Sequence, residues 1–327
     1  MNQLVVDYQS DIKSSKFAPL TRCWVCGGDR LYKLHQGRFD FAAYSEQDPE
    51  LACYTGDKFW LKRCRACGFA QPEALPTLPR YFDRMYDQHW SDEWITQEFD
   101  SRCKDLIFKK VLSELSRRVK PDSRSLLDVG AHVGRLIYLA HELGWDVEGI
   151  ELNPRTSAFA ARKTKLTVHQ VNAHRLAAEG KRYGAITLLD VLEHIPEPVR
   201  LLENLWELLE PGGCVAIKVP CGKNQLMKER LRARLRKNYR VSVADNLVHV
   251  NHFSPGSLRL ALLRAGFTRI EIRVGAPELS SATASNSIRE LCSNAVRLGV
   301  YHLGRLLPGG VHTPLALNLQ AYAQRTH

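Results

Sequence analysis

From Ser125 onward, short apolar runs alternate with longer amphipathic ones. That alternation predicts strands and helices in turn, an α/β arrangement. Ser125 to Val129 reads as a first buried strand, and Arg135 to Leu143 as a helix ended by Gly144. Asp146 to Glu151 is a second strand, after which Pro154 opens a helix at a favoured first position. Thr167 to Val171 and Ala185 to Leu189 are the third and fourth strands. Pro198 to Leu209 is a helix closed by Glu210-Pro211-Gly212-Gly213, and Cys214 to Val219 is a fifth strand. Ser254, followed by Pro255, caps a helix that runs to Ala265 and stops at Gly266. Thr268 to Val274 is a sixth strand, Ile288 to Leu307 a helix, and Leu315 to Ala323 a final strand. Upstream, Phe108, Val111, Leu112 and Leu115 recur at helical spacing until Pro121, so residues 81–122 read as a helical linker. Residues 1–80 are loop-rich and carry five cysteines, four of them in two pairs. The division expected is therefore 1–80, 81–122 and 123–327, with an insert over 222–250.

The apolar pattern also locates a ligand. The first strand ends in Asp128 and runs into Gly130 and Gly134 at the mouth of a helix. Glycines there let backbone approach a ligand, and the helix N-terminus offers free N–H groups. In an open α/β sheet ligands sit at the carboxyl ends of the strands. The second strand ends in Glu151, where a carboxylate can accept from two ribose hydroxyls. This order alone fits a dinucleotide site too, but Gly130-Ala131-His132-Val133-Gly134-Arg135 does not match G-x-G-x-x-G.

Later motifs separate the two. Leu126-Leu127-Asp128-Val129-Gly130-Ala131-His132-Val133-Gly134 resembles the first motif of the class I S-adenosylmethionine (SAM)-dependent methyltransferases. Val147-Glu148-Gly149-Ile150-Glu151-Leu152-Asn153 is similar to their second. Asp190-Val191-Leu192-Glu193-His194-Ile195-Pro196 resembles the stretch after their fourth strand, and Leu209-Glu210-Pro211-Gly212-Gly213 the turn into their fifth. Phe253-Ser254 through Leu263, with Ala265-Gly266-Phe267, resembles their late helix-to-strand passage. The resemblance spans about residues 105–325. It implies a seven-stranded Rossmann-like methyltransferase sheet with helices on both faces. It also implies cofactor-binding roles: Gly130 and Gly134 beside the amino-acid end of SAM, Asp128 shaping the turn, Glu151 on the ribose, Asn172 and Ala173 beside the adenine, and Asp190 along the methionyl end. The resemblance also places His132 among the cofactor-binding residues of the turn; it stands where the family often has a third glycine, so either its contact with the cofactor differs from the family's or its side chain points outward.

Cys23-Trp24-Val25-Cys26-Gly27 and Cys64-Arg65-Ala66-Cys67-Gly68 are two C-x-x-C-G knuckles. Four thiolates from such a pair make a closed tetrahedral zinc site, which is structural because no position remains for substrate. A small zinc-ribbon-like module at the N-terminus is therefore expected, with Cys23, Cys26, Cys64 and Cys67 as metal ligands. Knuckles before a methyltransferase domain resemble enzymes of polysaccharide and natural-product pathways, and also some ribosomal RNA methyltransferases. Cys221 lies beside the expected site mouth without a nucleophile's role.

Methyl transfer to a hydroxyl or activated carbon requires loss of a proton, and histidine is the usual base near neutral pH. The candidates are His194, after the fourth strand, and His249 and His252, just before the late helix. Glu193 is expected to be solvated or capping.

Charge narrows the acceptor. The chain carries 46 Lys and Arg against 35 Asp and Glu, a formal net charge of +11, which favours an anionic partner. Between Lys223 and Arg240 there are eight basic residues against Glu229, while Met227, Leu231 and Leu235 recur every fourth residue. Such a segment suits a lid with a basic rim, and also a solvated helix, a membrane surface or RNA. The leading expectation is a small-molecule or glycan acceptor, anionic, such as a nucleotide sugar or carrier-bound phosphate. The rival is an RNA methyltransferase that contacts nucleic acid through its zinc module, although no [ND]-P-P-[YF] tetrad and no aromatic-and-basic stacking pattern is visible. A non-catalytic SAM-binding protein is the third class. Met1 to Phe17 lacks the apolar region of a secretory signal, so a cytoplasmic location is expected.

Overall fold

The computed structural model describes residues 15–87, 92–235, 245–279 and 288–326. Five short strands come first: β1 (Phe17–Pro19), β2 (Leu31–Arg38), β3 (Lys58–Cys64), β4 (Ala70–Pro72) and β5 (Ala74–Pro76). The first and last pair antiparallel, and β2, β3 and β4 form a separate antiparallel sheet in that order. A single-turn helix, α1 (Pro49–Ala52), lies between β2 and β3, and its cap Asp48 accepts from Leu51 N at 3.0 Å. The stretch expected as a helical linker is three helices: α2 (Tyr81–Asp87), α3 (Asp92–Ser101) and α4 (Asp105–Arg118). The last of these buries Ile107, Val111, Leu112 and Leu115.

The remaining elements alternate as the pattern predicts. They are β6 (Ser125–Val129), α5 (Arg135–Glu142), β7 (Asp146–Ile150), α6 (Pro154–Thr164), β8 (Val168–His169), α7 (Ala173–Ala178), β9 (Tyr183–Leu189), α8 (Pro198–Leu208) and β10 (Leu209–Pro220). Then follow α9 (Gly222–Leu235), α10 (Pro255–Arg264), β11 (Thr268–Val274), α11 (Ile288–Leu306) and β12 (Asn318–Gln324). Ser254 opens α10 with a reciprocal cap to Ser257. The strand expected over Leu315 to Ala323 begins three residues later, and the third strand is only Val168–His169.

Seven strands make one sheet in the order β11–β12–β10–β9–β6–β7–β8. All the pairings are parallel except those of β12, which runs antiparallel to β10 and β11. The chain reverses its direction of winding between β6 and β9, so the crevice for a ligand opens at their carboxyl ends. Alternate residues feed opposite cores. Leu127, Ile186 and Val215 pack with α7, α8 and α10, whereas Leu126, Ala185 and Ala216 pack with α4 and α5.

The N-terminal region is not set apart from this sheet. Cys23, Val25, Cys64 and Phe69 belong to the same apolar core as Leu127 and Ile217. Around Phe39, Phe41 and Phe59 a second core forms that also takes in Leu226 of α9 and Leu247 and Val250 beyond it. The Met227, Leu231 and Leu235 row of the basic insert faces outward (46, 56 and 76% exposed), while Asn224, Leu226 and Glu229 hold α9 to the protein. The rest of that insert, residues 236–244, lies outside the described residues.

Candidate active site

The turn after β6 is built by backbone that only small residues tolerate. Gly130 has φ +82° and Gly134 φ +83°, in the left-handed region. A Cβ on Gly130 would overlap Val191 Cγ2, and one on Gly134 would lie 2.9 Å from Ala160 Cβ. Gly134 therefore starts α5 against α6, and the first free N–H groups of α5 face the crevice. Asp128, buried at the end of β6, accepts from Thr187 Oγ1 at 2.6 Å. Burial pushes its carboxyl up to about 7, with the nearby Glu151 charge adding to the shift. His132 also adopts positive φ, at 50°. Its ring packs edge-on to Trp94, with centroids 5.5 Å apart, and burial lowers its pKa to about 4.

Glu151, just beyond β7, is held at both oxygens by backbone. Oε1 accepts from Asn153 N at 2.9 Å and Oε2 from His132 N at 2.8 Å. Burial raises its pKa and these amides oppose the rise. Each oxygen keeps a further lone pair, so the group is fixed in place and still able to accept from a vicinal diol. The amide of His132 is thus the part of that residue which serves the turn. Asn172 caps α7 by accepting from Arg175 N at 3.0 Å, and Ala173 is buried behind it.

Asp190 has φ +57° and sits just past β9. Lys218 of β10 bonds its Oδ1, and Lys104 Nζ lies 3.5 Å from its Oδ2. Lys104 is also 3.7 Å from Glu278 Oε1. Burial works against the Asp190 charge, but the two ammonium groups outweigh it and its pKa falls. The sequence reading named Asp190 and missed Lys104, Lys218 and Glu278. One signal was available: Lys218 stands inside the apolar run Val215-Ala216-Ile217-Lys218-Val219, and it is 2% exposed. A lysine buried in a central strand needs a carboxylate opposite.

The three histidine candidates come together. The rings of His194 and His249 are 4.9 Å apart, and those of His249 and His252 6.5 Å. Burial lowers the pKa of all three, that of His252 to about 4, so each imidazole is neutral near pH 7. The segment that carries two of them is stitched in place: Val250 N and Asn251 N both bond Glu193 O at 2.9 Å, and His252 N bonds Ala70 O at 2.9 Å. Glu193 is neither solvated nor capping; it is 2% exposed, and burial, reinforced by the Asp190 charge, raises its carboxyl to about 8. Cys221 is buried and its thiol pushed up by burial, in keeping with a packing role.

The four knuckle cysteines also converge. Cys23 Sγ and Cys67 Sγ are 3.6 Å apart, Cys26 Sγ and Cys64 Sγ 3.5 Å, and all four lie within 4.8 Å of one another. Sulfurs around one tetrahedral ion with bonds of about 2.3 Å stand about 3.8 Å apart, so the donor set and spacing fit a zinc ion. Gly27 and Gly68 take φ +75° and +73° behind the second cysteine of each knuckle.

A methyltransferase-domain family matches residues 99–272, more than half of the chain. Among curated proteins, a ubiquinone biosynthesis O-methyltransferase of Psychrobacter arcticus is 29% identical over 160 residues, covering 46% of this chain and 61% of that protein. The protein of the same name from Cereibacter sphaeroides is 33% identical over 118 residues, 33% of this chain and 48% of that one. The chain thus spans less than two thirds of these relatives. The structure of the plantazolicin methyltransferase BpumL in complex with SAH shares the fold, with a TM-score of 0.50, 15% identity, and coverage of 76% of this chain and 95% of that one.

Proposed function

This chain belongs to the methyltransferase-domain family, and from that premise we propose that it transfers a methyl group from SAM to a hydroxyl of a small, anionic molecule or glycan. The observation that carries the reading is Glu151, whose two oxygens are fixed by backbone amides across from a glycine turn, ready for a ribose diol. When bound, SAM supplies an electrophilic methyl group on its sulfonium. Gly130 and Gly134 would let backbone approach its amino-acid end. Asp190 and Lys104, a carboxylate beside an ammonium, offer both charges that an amino-acid zwitterion requires. Asn172 and Ala173 would flank the base.

A neutral imidazole of the His194–His249–His252 cluster takes the acceptor's proton. The names of the curated relatives support oxygen as the acceptor atom. Anionic character is supported by α9, where Lys223, Arg230, Arg232 and Arg234 are exposed with Met227 and Leu231, and Lys228 is half-buried. The four cysteines would hold one structural zinc. Calorimetry with SAM tests the cofactor reading, and release of S-adenosylhomocysteine against a panel of phosphorylated and carboxylated alcohols tests the acceptor. No SAM binding by the wild-type chain would end the first, and turnover of neutral acceptors alone would end the second.

One observation favours a second reading, an RNA acceptor. On the β2–β3 sheet Lys33 Nζ lies 4.8 Å from the Trp60 ring centroid and Arg65 Cζ 5.4 Å from that of Tyr32. The fold thus assembles basic and aromatic groups that are scattered in the sequence, and such pairs can stack bases. Steeply salt-dependent binding of single-stranded RNA would support this reading, and no binding at low salt would remove it.

A further inference from the structure

The histidine cluster contains a second convergence of ligand atoms, distinct from the cysteines. One oxygen of Glu193 and one ring nitrogen each of His194 and His249 lie within 4.8 Å of one another. Glu193 is 2% exposed, and its Oε2 is buried with no hydrogen-bond partner among the described residues. A carboxyl oxygen shut away from both water and a donor is costly to bury, and a cation meeting it would remove that cost and hold the group ionised.

The surroundings orient both imidazoles as ligands. His194 Nδ1 lies 2.6 Å from Val248 O, and a carbonyl can only accept, so Nδ1 carries the proton and Nε2 the lone pair. Tyr86, whose hydroxyl donates to the same carbonyl at 3.0 Å, lies 2.7 Å from that nitrogen and fixes the ring further. A carbonyl behind the distal nitrogen is the usual support of a metal-ligating histidine. His249 has a matching partner in Gln225, whose Nε2 is 3.5 Å from Nδ1 while its Oε1 is buried without a partner. Turning that amide by half a revolution lets Oε1 accept from Nδ1–H, satisfies the orphaned oxygen and leaves the lone pair on His249 Nε2.

We propose that Glu193, His194 and His249 bind one divalent transition-metal cation that holds the acceptor's hydroxyl beside Asp190. Two imidazoles and one carboxylate leave coordination positions open and suit manganese, iron, cobalt or zinc. The ion would make the hydroxyl more acidic. His252, buried beside His249, remains to take the proton. The acceptor's part of this proposal rests on the methyltransferase reading; the metal's part does not.

The test is a titration of the full, zinc-loaded chain with Mn²⁺, read by the electron paramagnetic resonance of the free ion. Manganese prefers nitrogen and oxygen donors and leaves the thiolates alone. Wild type should bind one equivalent, and Glu193→Gln and His249→Asn should each bind at least about tenfold more weakly. SAM affinity, measured on the same samples by calorimetry, should be unchanged, which shows that the variants are folded. A wild-type chain that retains no Mn²⁺ at millimolar concentration overturns the site, as does either variant binding as tightly as wild type. Failure of the methyltransferase reading would show instead as a wild type that binds Mn²⁺ but no SAM.

Discussion

Replacing Glu151 by Gln keeps the shape of the side chain and removes its charge and one acceptor. In the folded protein Oε1 and Oε2 each receive a backbone N–H, at 2.9 and 2.8 Å. The amide of Gln can satisfy one of these, and its NH₂ must then face the other. Two consequences follow. A half-buried N–H of His132 or Asn153 loses its partner, at a cost of about 1–3 kcal/mol. Against that, the variant no longer desolvates a carboxylate, whose pKa burial raises, so the loss of folding stability is small. For SAM the account is one-sided. Hydrogen bonds to a charged group contribute about 1.5–3 kcal/mol each, and Gln loses one to the ribose diol and weakens the other. A total of about 3 kcal/mol corresponds to a dissociation constant about a hundredfold higher. Isothermal titration with SAM, alongside thermal melting without ligand, separates the two effects. A Glu151→Gln protein that binds SAM within about threefold of wild type would refute the assignment of the ribose to Glu151.

Four further outcomes are expected. Gly130→Ala forces a Cβ into left-handed backbone and into Val191, so stability should fall by at least the about 1–2 kcal/mol of the backbone term; adding Val191→Ala should recover the overlap and leave that term, as urea unfolding would show. Lys218→Met removes a buried cation from Asp190 and should destabilise by about 3–5 kcal/mol, with Asp190→Asn in the same chain restoring part of it. Glu148 is held at about 2: its burial opposes the charge, but Lys181, Tyr183 and His169 outweigh it. Its contribution is therefore complete above the ordinary glutamate range and lost as pH falls toward 2, so Glu148→Gln should be about 2 kcal/mol less stable at pH 7, and the difference should close in acid. Elemental analysis should find about one zinc per chain on the cysteines, and chelation should lower the melting temperature of the whole chain, because Cys23 and Cys64 lie in the core of the large sheet; a metal-free chain with an unaltered melt would contradict the site.

Local pattern made most of the sheet legible. Largely apolar runs such as Cys214 to Ile217 and Ala185 to Leu189 report burial on both faces, and the stops at Gly144 and Gly266 are local chemistry. The antiparallel β12 was legible as a strand but not as the neighbour of both β10 and β11, because pairing is a long-range choice. The carboxylates and glycines of the turn were legible for the same local reason: each ends a strand. What pairs with them was not. Lys104 reaches Asp190 across 86 positions of sequence, and Tyr86 reaches His194 across 108. Glu193, polar in a polar-looking motif, gave no sign that the segment 248–252 would cover it.

That cover explains why the cysteine region is best regarded as one wall of the site. Ala70 and His252 exchange both backbone hydrogen bonds, at 3.2 and 2.9 Å. Asn246 accepts from Asp40 N at 2.7 Å and donates to Asp40 O at 3.1 Å, while Tyr81 Oη donates to Asn246 O at 2.7 Å. The segment bearing His249 and His252 is therefore clamped from the side of β2, β4 and α2. The glycine turn and Glu151 follow β6 and β7 of the parallel sheet, with Trp94 of α3 packed on His132 and Lys104 at the start of α4 paired with Asp190. The clamped segment and the end of the sheet meet at Glu193 and His194, just past the end of β9. A zinc ion on four thiolates would then do more than close a small loop: by holding β3 and the start of β4 in register, it would set where the histidines stand relative to the cofactor. The N-terminal region has its own apolar core around Phe39, Phe41 and Phe59, so the metal's contribution would be local, at the knuckles that join that core to the larger sheet.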